Sequence, residues 1–265
     1  MRQNSVNGKT IVITGASSGI GERIAWHIAK HGGTPIMVAR SQEKLAALKY
    51  NMEEEFGIQA HIYQADLQVE GEITSLCKQL YSEHKQIHGL INNAGAGMFQ
   101  HVTDISWQHI ERMMQLNVMA LIRMTKELLP HFLQHRQGHV VNVASQAGKI
   151  STPKSAVYAA TKHAVLGFTN SLRMEVKEQK IHVTSVNLGP VRTNFFTEAD
   201  PGGTYQKAVE RYMLDPDAVA IKIVNSLFTK KREINLPRWM EAGSKVYQLF
   251  PALTEKLLER QFNKK

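Results

Sequence analysis

The sequence predicts an α/β fold built on one doubly wound parallel sheet of about seven strands, with helices on both faces. Three observations carry the expectation. Short apolar runs rich in β-branched residues recur along the chain, segments of helical period separate them, and a glycine-rich turn joins the first run to the first helix. Strands that are apolar on both faces need cover on both sides, which is the setting of a parallel sheet. Right-handed crossovers then wind the chain outward in two directions and place ligands at the carboxyl ends of the strands.

The elements follow in order. Thr10–Thr14 (TIVIT) is the first strand, and residues 21–31 have helical spacing that stops at Gly32-Gly33. Residues 35–39 (PIMVA) form the second strand, and a charged helix over 41–56 follows with Ser41 as its N-cap. The third strand is 59–64, the next helix 69–85, and the fourth strand Gly89–Asn92. Residues 106–135 are helical in one or two pieces, bent or broken near Pro130. A fifth strand at 140–144, a long helix at 155–179 and a sixth strand at 181–187 come next, and Glu233–Leu236 is the candidate seventh strand.

Composition sets outer limits. The 265 residues are 43% hydrophobic and 21% charged, ordinary globular usage, with no linker, repeat or low-complexity tract, so one domain over 1–265 is expected. Cys77 is the single cysteine, which excludes an intrachain disulfide and suits a reducing compartment. The opening MRQNSVNGK has no apolar stretch of the secretory kind, and no window approaches the roughly 18 apolar residues of a membrane span. A cytoplasmic protein is the expectation. The net charge of +9 comes from scattered Lys and Arg without interleaved aromatics. It reads as a solvated basic surface that suits anionic ligands, not as a nucleic-acid interface.

After the first strand come Gly15, Ala16, Ser17, Ser18, Gly19, Ile20 and Gly21. Glycines here let backbone amides approach a pyrophosphate, whose charge the following helix N-terminus favours; glycines also simply make good turns. The end of the second strand is more pointed. Ala39 stands where an NAD-specific fold carries an acid, and Arg40 follows. A guanidinium can grip a 2′-phosphate in two places, so NADP(H) is expected over NAD(H); Arg40 as a plain surface residue is the alternative.

Tyr158 and Lys162 lie four apart near the start of the long helix and so share a face. A phenol of pKa about 10 is a poor acid-base group at neutral pH. The neighbouring ammonium is expected to lower that value and make Tyr158 a general acid or base for carbonyl chemistry. Ser145 closes the fifth strand, where its hydroxyl could hold the substrate oxygen.

With these motifs in this order, the chain resembles the short-chain dehydrogenase/reductase family, whose fold is of Rossmann type. The likeness runs over about residues 8–195. TGASSGIG at 14–21 is similar to the family's cofactor turn, and Asp66 matches the acid that contacts adenine. Asn92, Asn93, Ala94 and Gly95 match the motif that lines the adenosine side and braces the sheet. Asn117 matches the residue that holds a water for proton relay, completing a catalytic tetrad with Ser145, Tyr158 and Lys162. By the same resemblance Lys162 also binds the nicotinamide ribose, and Val191 and Thr193 orient the carboxamide. Leu188-Gly189 stands where the family commonly has Pro-Gly, which leaves the local backbone shape open. Family likeness further implies a homo-oligomer, dimer or tetramer.

The resemblance implies an NADP(H)-dependent oxidoreductase acting on a small-molecule carbonyl or alcohol; a non-catalytic NADP-binding sensor or scaffold is the competing reading. Residues 194–214, with Phe195, Phe196, Pro201-Gly202-Gly203 and Tyr205, are expected to form a mobile substrate lid, whose aromatics favour an apolar substrate. Histidine pairs His27/His31, His84/His88 and His131/His135 lack a third zinc ligand, so exposed or capping roles and no metal site are expected. Cys77 reads as a packed thiol. In the helical extension at 238–265, Val246, Leu249, Phe250, Leu253, Leu257 and Leu258 form an apolar stripe flanked by Lys245, Lys256 and Arg260. Packing on the domain or a neighbouring subunit is favoured over covering the substrate or touching a membrane.

Overall fold

Seven strands alternate with helices, as the apolar periodicity implies. A computed structural model describes the backbone of residues 6–262 and the side chains of 6–257; the side chains of Leu258, in the apolar stripe, and of Arg260, which flanks it, and the ends of the expected domain at 1–5 and 263–265, lie outside that description. The first half contains β1 (Thr10–Thr14), α1 (Gly19–Lys30), β2 (Thr34–Ala39), α2 (Gln42–Phe56), β3 (His61–Gln64), α3 (Glu70–Glu83), β4 (Gly89–Asn92), α4 (Trp107–Met114) and α5 (Ala120–His135). The second contains β5 (Gly138–Val143), α6 (Ala156–Glu175), β6 (Ile181–Leu188), α7 (Phe195–Ala199), α8 (Thr204–Val209), α9 (Pro216–Val224), β7 (Glu233–Leu236), α10 (Arg238–Leu249) and α11 (Pro251–Phe262).

The strands form one parallel sheet in the order β3-β2-β1-β4-β5-β6-β7. Chain direction across the sheet reverses between β1 and β4, and that switch point opens a crevice at the strands' carboxyl ends. Alternation along each strand feeds two cores. Ile11, Ile13 and Met37 pack with Ile24, Ile28 and Ile223, whereas Val12, Ile36 and Val140 pack with Leu80, Met124 and Phe132. Each such side chain contributes about 1.5–3 kcal/mol on burial. Asn92 adds polar stitching: its Nδ2 donates to Asn142 Oδ1 (2.9 Å) and Thr125 Oγ1 (3.0 Å) inside the sheet–helix interface.

Three local expectations need correction. The interruption expected near Pro130 lies instead at Gln115–Met119, one π-helical segment between α4 and α5, while Pro130 sits inside α5. Proline removes one N–H without obliging the chain to break, whereas the π segment follows from contacts that no local pattern reports. Ser41 does stand at the N-cap of α2, but its hydroxyl makes no capping bond. The long helix stops at Glu175, and Lys177–Gln179 continue as a 3-10 turn.

Candidate active site

The turn after β1 is shaped by close approaches. Gly15 (φ +65°) and Gly19 (φ +59°) adopt left-handed backbone, which side-chain-bearing residues rarely do. A Cβ on Gly15 would come within 2.8 Å of Ala94 Cα, and one on Gly21 would collide with the Gly15 carbonyl. Asn93 fastens the turn from the neighbouring strand: its Nδ2 donates to the carbonyls of Thr14 (3.0 Å) and Gly15 (3.2 Å). Thr14 Oγ1 in return accepts from the backbone N–H groups of Asn93 and Ala94. Ser18, at the N-cap of α1, makes no side-chain capping bond. Ser17, Ser18, Gly19 and Ile20 line the cavity there, beside the partly positive end of a twelve-residue helix.

One cavity of about 970 Å³ extends from this turn in both directions. Toward β2 and β3 it is lined by Ala39, Arg40, Ser41, Lys44, Asp66 and Gln68. Arg40 is exposed, and its carbonyl accepts from Gln64 Nε2 at 3.0 Å. Asp66 Oδ1 accepts the Gln68 N–H at 3.0 Å. Lys44 was not foreseen. It stands in the first turn of α2, the helix that Ser41 opens directly after Arg40, and that position is the signal that could have found it.

Toward β5 and β6 the cavity meets Ser145, Tyr158 and Lys162. Both side chains from α6 are buried on one helix face, as their spacing requires. The Tyr158 hydroxyl hydrogen-bonds Ser145. Ser145 Oγ also donates to the Leu188 carbonyl (3.2 Å) and accepts the Ala147 N–H (3.1 Å), so the serine is held from both sides. Lys162 Nζ donates to the Val143 carbonyl at 3.1 Å and lies 5.7 Å from the centroid of the Tyr158 ring.

The electrostatics differ from expectation. Burial pushes the Tyr158 phenol up to about 12, with the Ser145 hydrogen bond opposing the rise, and pushes the Lys162 ammonium down to about 8. Desolvation penalises whichever form is charged, and it is the main cause of both shifts; Tyr205 adds slightly to the rise at the phenol. Tyr158 is therefore a protonated phenol at neutral pH.

Asn117, on the π segment, comes to the same place. Its Oδ1 accepts the Ala96 N–H and its Nδ2 donates to the Ala96 carbonyl, both at 2.8 Å, and Nδ2 also donates to Thr161 Oγ1 at 3.1 Å. A Cβ on Gly95 would lie 3.2 Å from Asn117 Oδ1 and 3.7 Å from Lys162 Nζ, so the three residues converge.

Beyond β6, the Gly189 N–H donates to the Leu236 carbonyl (2.7 Å), and a Cβ at Gly189 would meet Met240 Sδ and Pro237 Cδ. The preceding Leu188 thus leaves intact the tight path that glycine provides. Val191 pairs with Leu214 in a short parallel bridge, which pins both stems of the segment between them. That segment is more ordered than the mobile loop expected: α7 and α8 build it, joined by a turn with Gly203 at φ +66°. Glu198 accepts from Arg112 (2.6 Å), and the Phe99 N–H donates to the Ala199 carbonyl (2.8 Å). Phe99 packs edge-on to Tyr158 (5.7 Å) and Tyr205 (5.2 Å), and Phe195 lies 5.8 Å from Tyr158. Phe99 sits on an irregular segment after β4, where no periodicity marks it.

The histidines are less exposed than expected. His27 contacts Asp217 at 2.9 Å, His131 Nε2 accepts the Ile87 N–H, and His88 Nδ1 accepts the Thr10 N–H. Each occupies a buried position that a local pattern does not reveal. Cys77 is buried, and its thiol is pushed up to about 12 by desolvation.

Comparison with known proteins agrees with this architecture. A family model described as short chain dehydrogenase matches residues 9–202. The chain is 32% identical to a protein named fatty acyl-CoA reductase from Acinetobacter baylyi, over 98% of this chain and 86% of that one. Its fold is similar to that of a short-chain dehydrogenase from Sphingobium yanoikuyae in complex with NADPH (TM-score 0.80, 27% identity, 92% of this chain and 95% of that one). It is also similar to that of the bulky-bulky ketone specific alcohol dehydrogenase from Comamonas testosteroni (TM-score 0.76, 28% identity, 92% and 94%). With the glycine turn, the switch-point cavity and the buried Tyr158–Lys162 pair already in place, the chain belongs to the short-chain dehydrogenase/reductase family of hydride-transfer oxidoreductases.

Proposed function

We propose that the chain is an NADP(H)-dependent reductase of an apolar carbonyl compound, with Tyr158 as the proton donor. The observation that carries this reading is a buried phenol, hydrogen-bonded to Ser145 and beside Lys162, at the aromatic end of a cavity whose far end carries Arg40 and Lys44.

The residues fit the cofactor. A pyrophosphate would lie against Gly15, Ser17, Ser18, Gly19, Ile20 and Gly21, where added Cβ atoms at Gly15 and Gly21 would crowd the turn itself. Asp66, Asn93, Ala94 and Gly95 would border the adenosine side, Arg40 and Lys44 would hold a 2′-phosphate, and Val191 and Thr193 would bracket the carboxamide. When bound, the dinucleotide supplies the hydride. The Sphingobium yanoikuyae relative in complex with NADPH supports the phosphorylated form.

The side chains then divide the remaining work. Ser145 orients the substrate oxygen, and Tyr158 donates its proton to that oxygen as negative charge grows there. A phenol pushed up to about 12 rests in the protonated form, which suits reduction more than oxidation. The Lys162 ammonium, 5.7 Å from the ring, stabilises the phenolate left behind. Asn117 is proposed to keep the path to solvent in register through its paired bonds to Ala96.

Phe99, Phe195, Phe196 and Tyr205 favour an apolar substrate, in keeping with the relative named fatty acyl-CoA reductase. We further propose a cytoplasmic homo-oligomer. A groove lined by Trp107, Ile110, Met114 and Val157, between α4 and α6, supplies an apolar surface for a second copy. A panel of aliphatic and aromatic aldehydes and ketones, followed by NADPH absorbance and repeated with Tyr158→Phe, tests the reading. Equal turnover by the variant would remove Tyr158 from the chemistry.

A further inference from the structure

We infer that the outer face of α10 and α11 is a docking surface for an anionic phospholipid bilayer, and that it seats the mouth of the cavity against the membrane. The inference concerns a surface, not the reaction, and stands whatever the substrate proves to be.

The sequence builds the face. Trp239, Ala242, Val246 and Leu249 recur at steps of three and four, the spacing of one side of a helix, and Leu253 and Leu257 repeat it on α11. Of the two packing surfaces expected for this stripe, the domain and a neighbouring subunit, the domain does not cover it. Among the described side chains, Ser244 and Thr254 are the buried residues of the two helices, whereas Trp239, Val246, Leu249, Phe250, Leu253 and Leu257 are 54% to 73% exposed. Six large apolar side chains on two mutually packed helices exceed the scattered surface hydrophobes of an ordinary soluble face.

Charge selects the occupant. Arg238 and Lys245, seven residues apart, border the stripe on α10, and Lys256 lies between Leu253 and Leu257 in sequence. Glu241 is shared: one carboxylate oxygen lies 2.7 Å from Lys149 Nζ and the other 3.9 Å from Lys245 Nζ, so its short contact points inward and Lys245 keeps only a long, solvent-exposed one. From residue 238 onward the chain carries six Lys or Arg against three Glu. A basic border on an apolar helical face is the chemistry of a helix lying in the plane of an anionic interface. Among the described residues no helix is long and apolar enough to cross a membrane, so the contact is peripheral. A second copy has a different seat: the lining of the α4–α6 groove contains no Lys or Arg.

Position adds the third argument. Trp239, Met240 and Gly243 of α10, Thr254 of α11 and Tyr212 after α8 all line the cavity. Tyr212 and Trp239 pack at 5.5 Å and are both exposed, so they belong at once to the cavity wall and to the surface. The hairpin therefore has its inner side on the cavity and its outer side on the docking face. An apolar compound held in a bilayer would reach the cavity without crossing bulk water.

Co-sedimentation of the full chain, without substrate, tests this directly. Vesicles of equimolar phosphatidylcholine and phosphatidylglycerol are compared with vesicles of phosphatidylcholine alone. The chain is expected to sediment with the mixed vesicles at low salt and to release from them at high salt. Leu249→Glu with Leu253→Glu should weaken vesicle binding by roughly tenfold or more per leucine. Arg238→Glu with Lys245→Glu should weaken it by roughly fivefold per residue and flatten its salt dependence. NADPH binding and molar mass should stay at wild-type values in both variants, which establishes that they fold. Wild-type protein that ignores both vesicle types would overturn the inference. So would a leucine variant that still binds vesicles but falls to a smaller assembly, since that would assign the face to a second copy.

Discussion

The Lys162 ammonium lies 5.7 Å from the centre of the Tyr158 ring, and both groups are buried one turn apart on the same face of α6. Neither is poised by the other alone. Burial raises the phenol and lowers the ammonium, so the charged amine and the neutral phenol coexist only over a bounded pH range. That pairing leads to the first two predictions.

Tyr158→Phe removes the donated proton and little volume. Turnover should fall by about 100- to 10,000-fold, while the dissociation constant for NADPH, read by fluorescence titration, should move little. Unchanged turnover would assign the proton to another group.

Carbonyl reduction needs Tyr158 protonated and Lys162 charged. The phenol meets that condition up to about pH 12, but the ammonium loses its proton as pH rises through about 8. The rate of reduction, as kcat/KM, should therefore be flat below about pH 8 and decline above it. A profile that stays flat well beyond that point would show that Lys162 charge is not required.

Arg40→Asp puts a carboxylate where a 2′-phosphate is proposed to lie. Preference for NADPH over NADH should fall by about tenfold or more, given the strength of charge-assisted contacts. Lys44→Ala should weaken NADPH with a smaller effect on NADH. Kinetics with both cofactors in both variants would check this, and an unaltered ratio would return Arg40 to the plain surface role.

Gly97 makes room for Phe195, since a Cβ there would come within 2.5 Å of its ring and 3.2 Å of Ala199 Cβ. Gly97→Ala should displace α7 at a cost of about 1–3 kcal/mol. KM for an apolar carbonyl should rise while NADPH affinity holds. Equal losses in both would indicate general unfolding and not a lid effect.

His139 is wholly buried; its Nδ1 accepts the Phe228 N–H (2.8 Å), leaving Nε2–H to donate to Thr184 Oγ1 (2.9 Å). Burial pushes the imidazole down to about 3. Below about pH 6.5 the unfolded chain therefore takes a proton that the folded chain refuses, and stability drops as pH falls, by up to about 1.4 kcal/mol per unit from this group. Urea unfolding at several pH values should give a shallower acid slope for His139→Asn than for wild type.

The sheet was legible because each strand is a short apolar run, and the apolar runs at 10–14, 35–39, 89–92 and 233–236 report burial locally. The cofactor turn and the Tyr158–Lys162 spacing were legible for a similar reason, since their geometry is set within one turn of helix or loop. Lys44, Phe99 and Trp239 were not singled out as cavity residues. They enter the wall only when segments far apart in sequence converge. The helix break was placed at Pro130 because proline is a local signal, whereas the π segment carrying Asn117 is held by Ala96, twenty-one residues away.

Periodicity, glycine spacing and one helical turn were enough to establish the sheet, the cofactor loop and the chemical pair, because each depends on neighbours within a few residues. Protonation and exposure belong to the assembled molecule. Whether Tyr158 is acidic or basic depends on how much water the folded chain excludes around it, and that exclusion reversed the direction expected from charge alone. Whether Leu249 is core or surface depends on what α10 faces, which its own spacing does not specify.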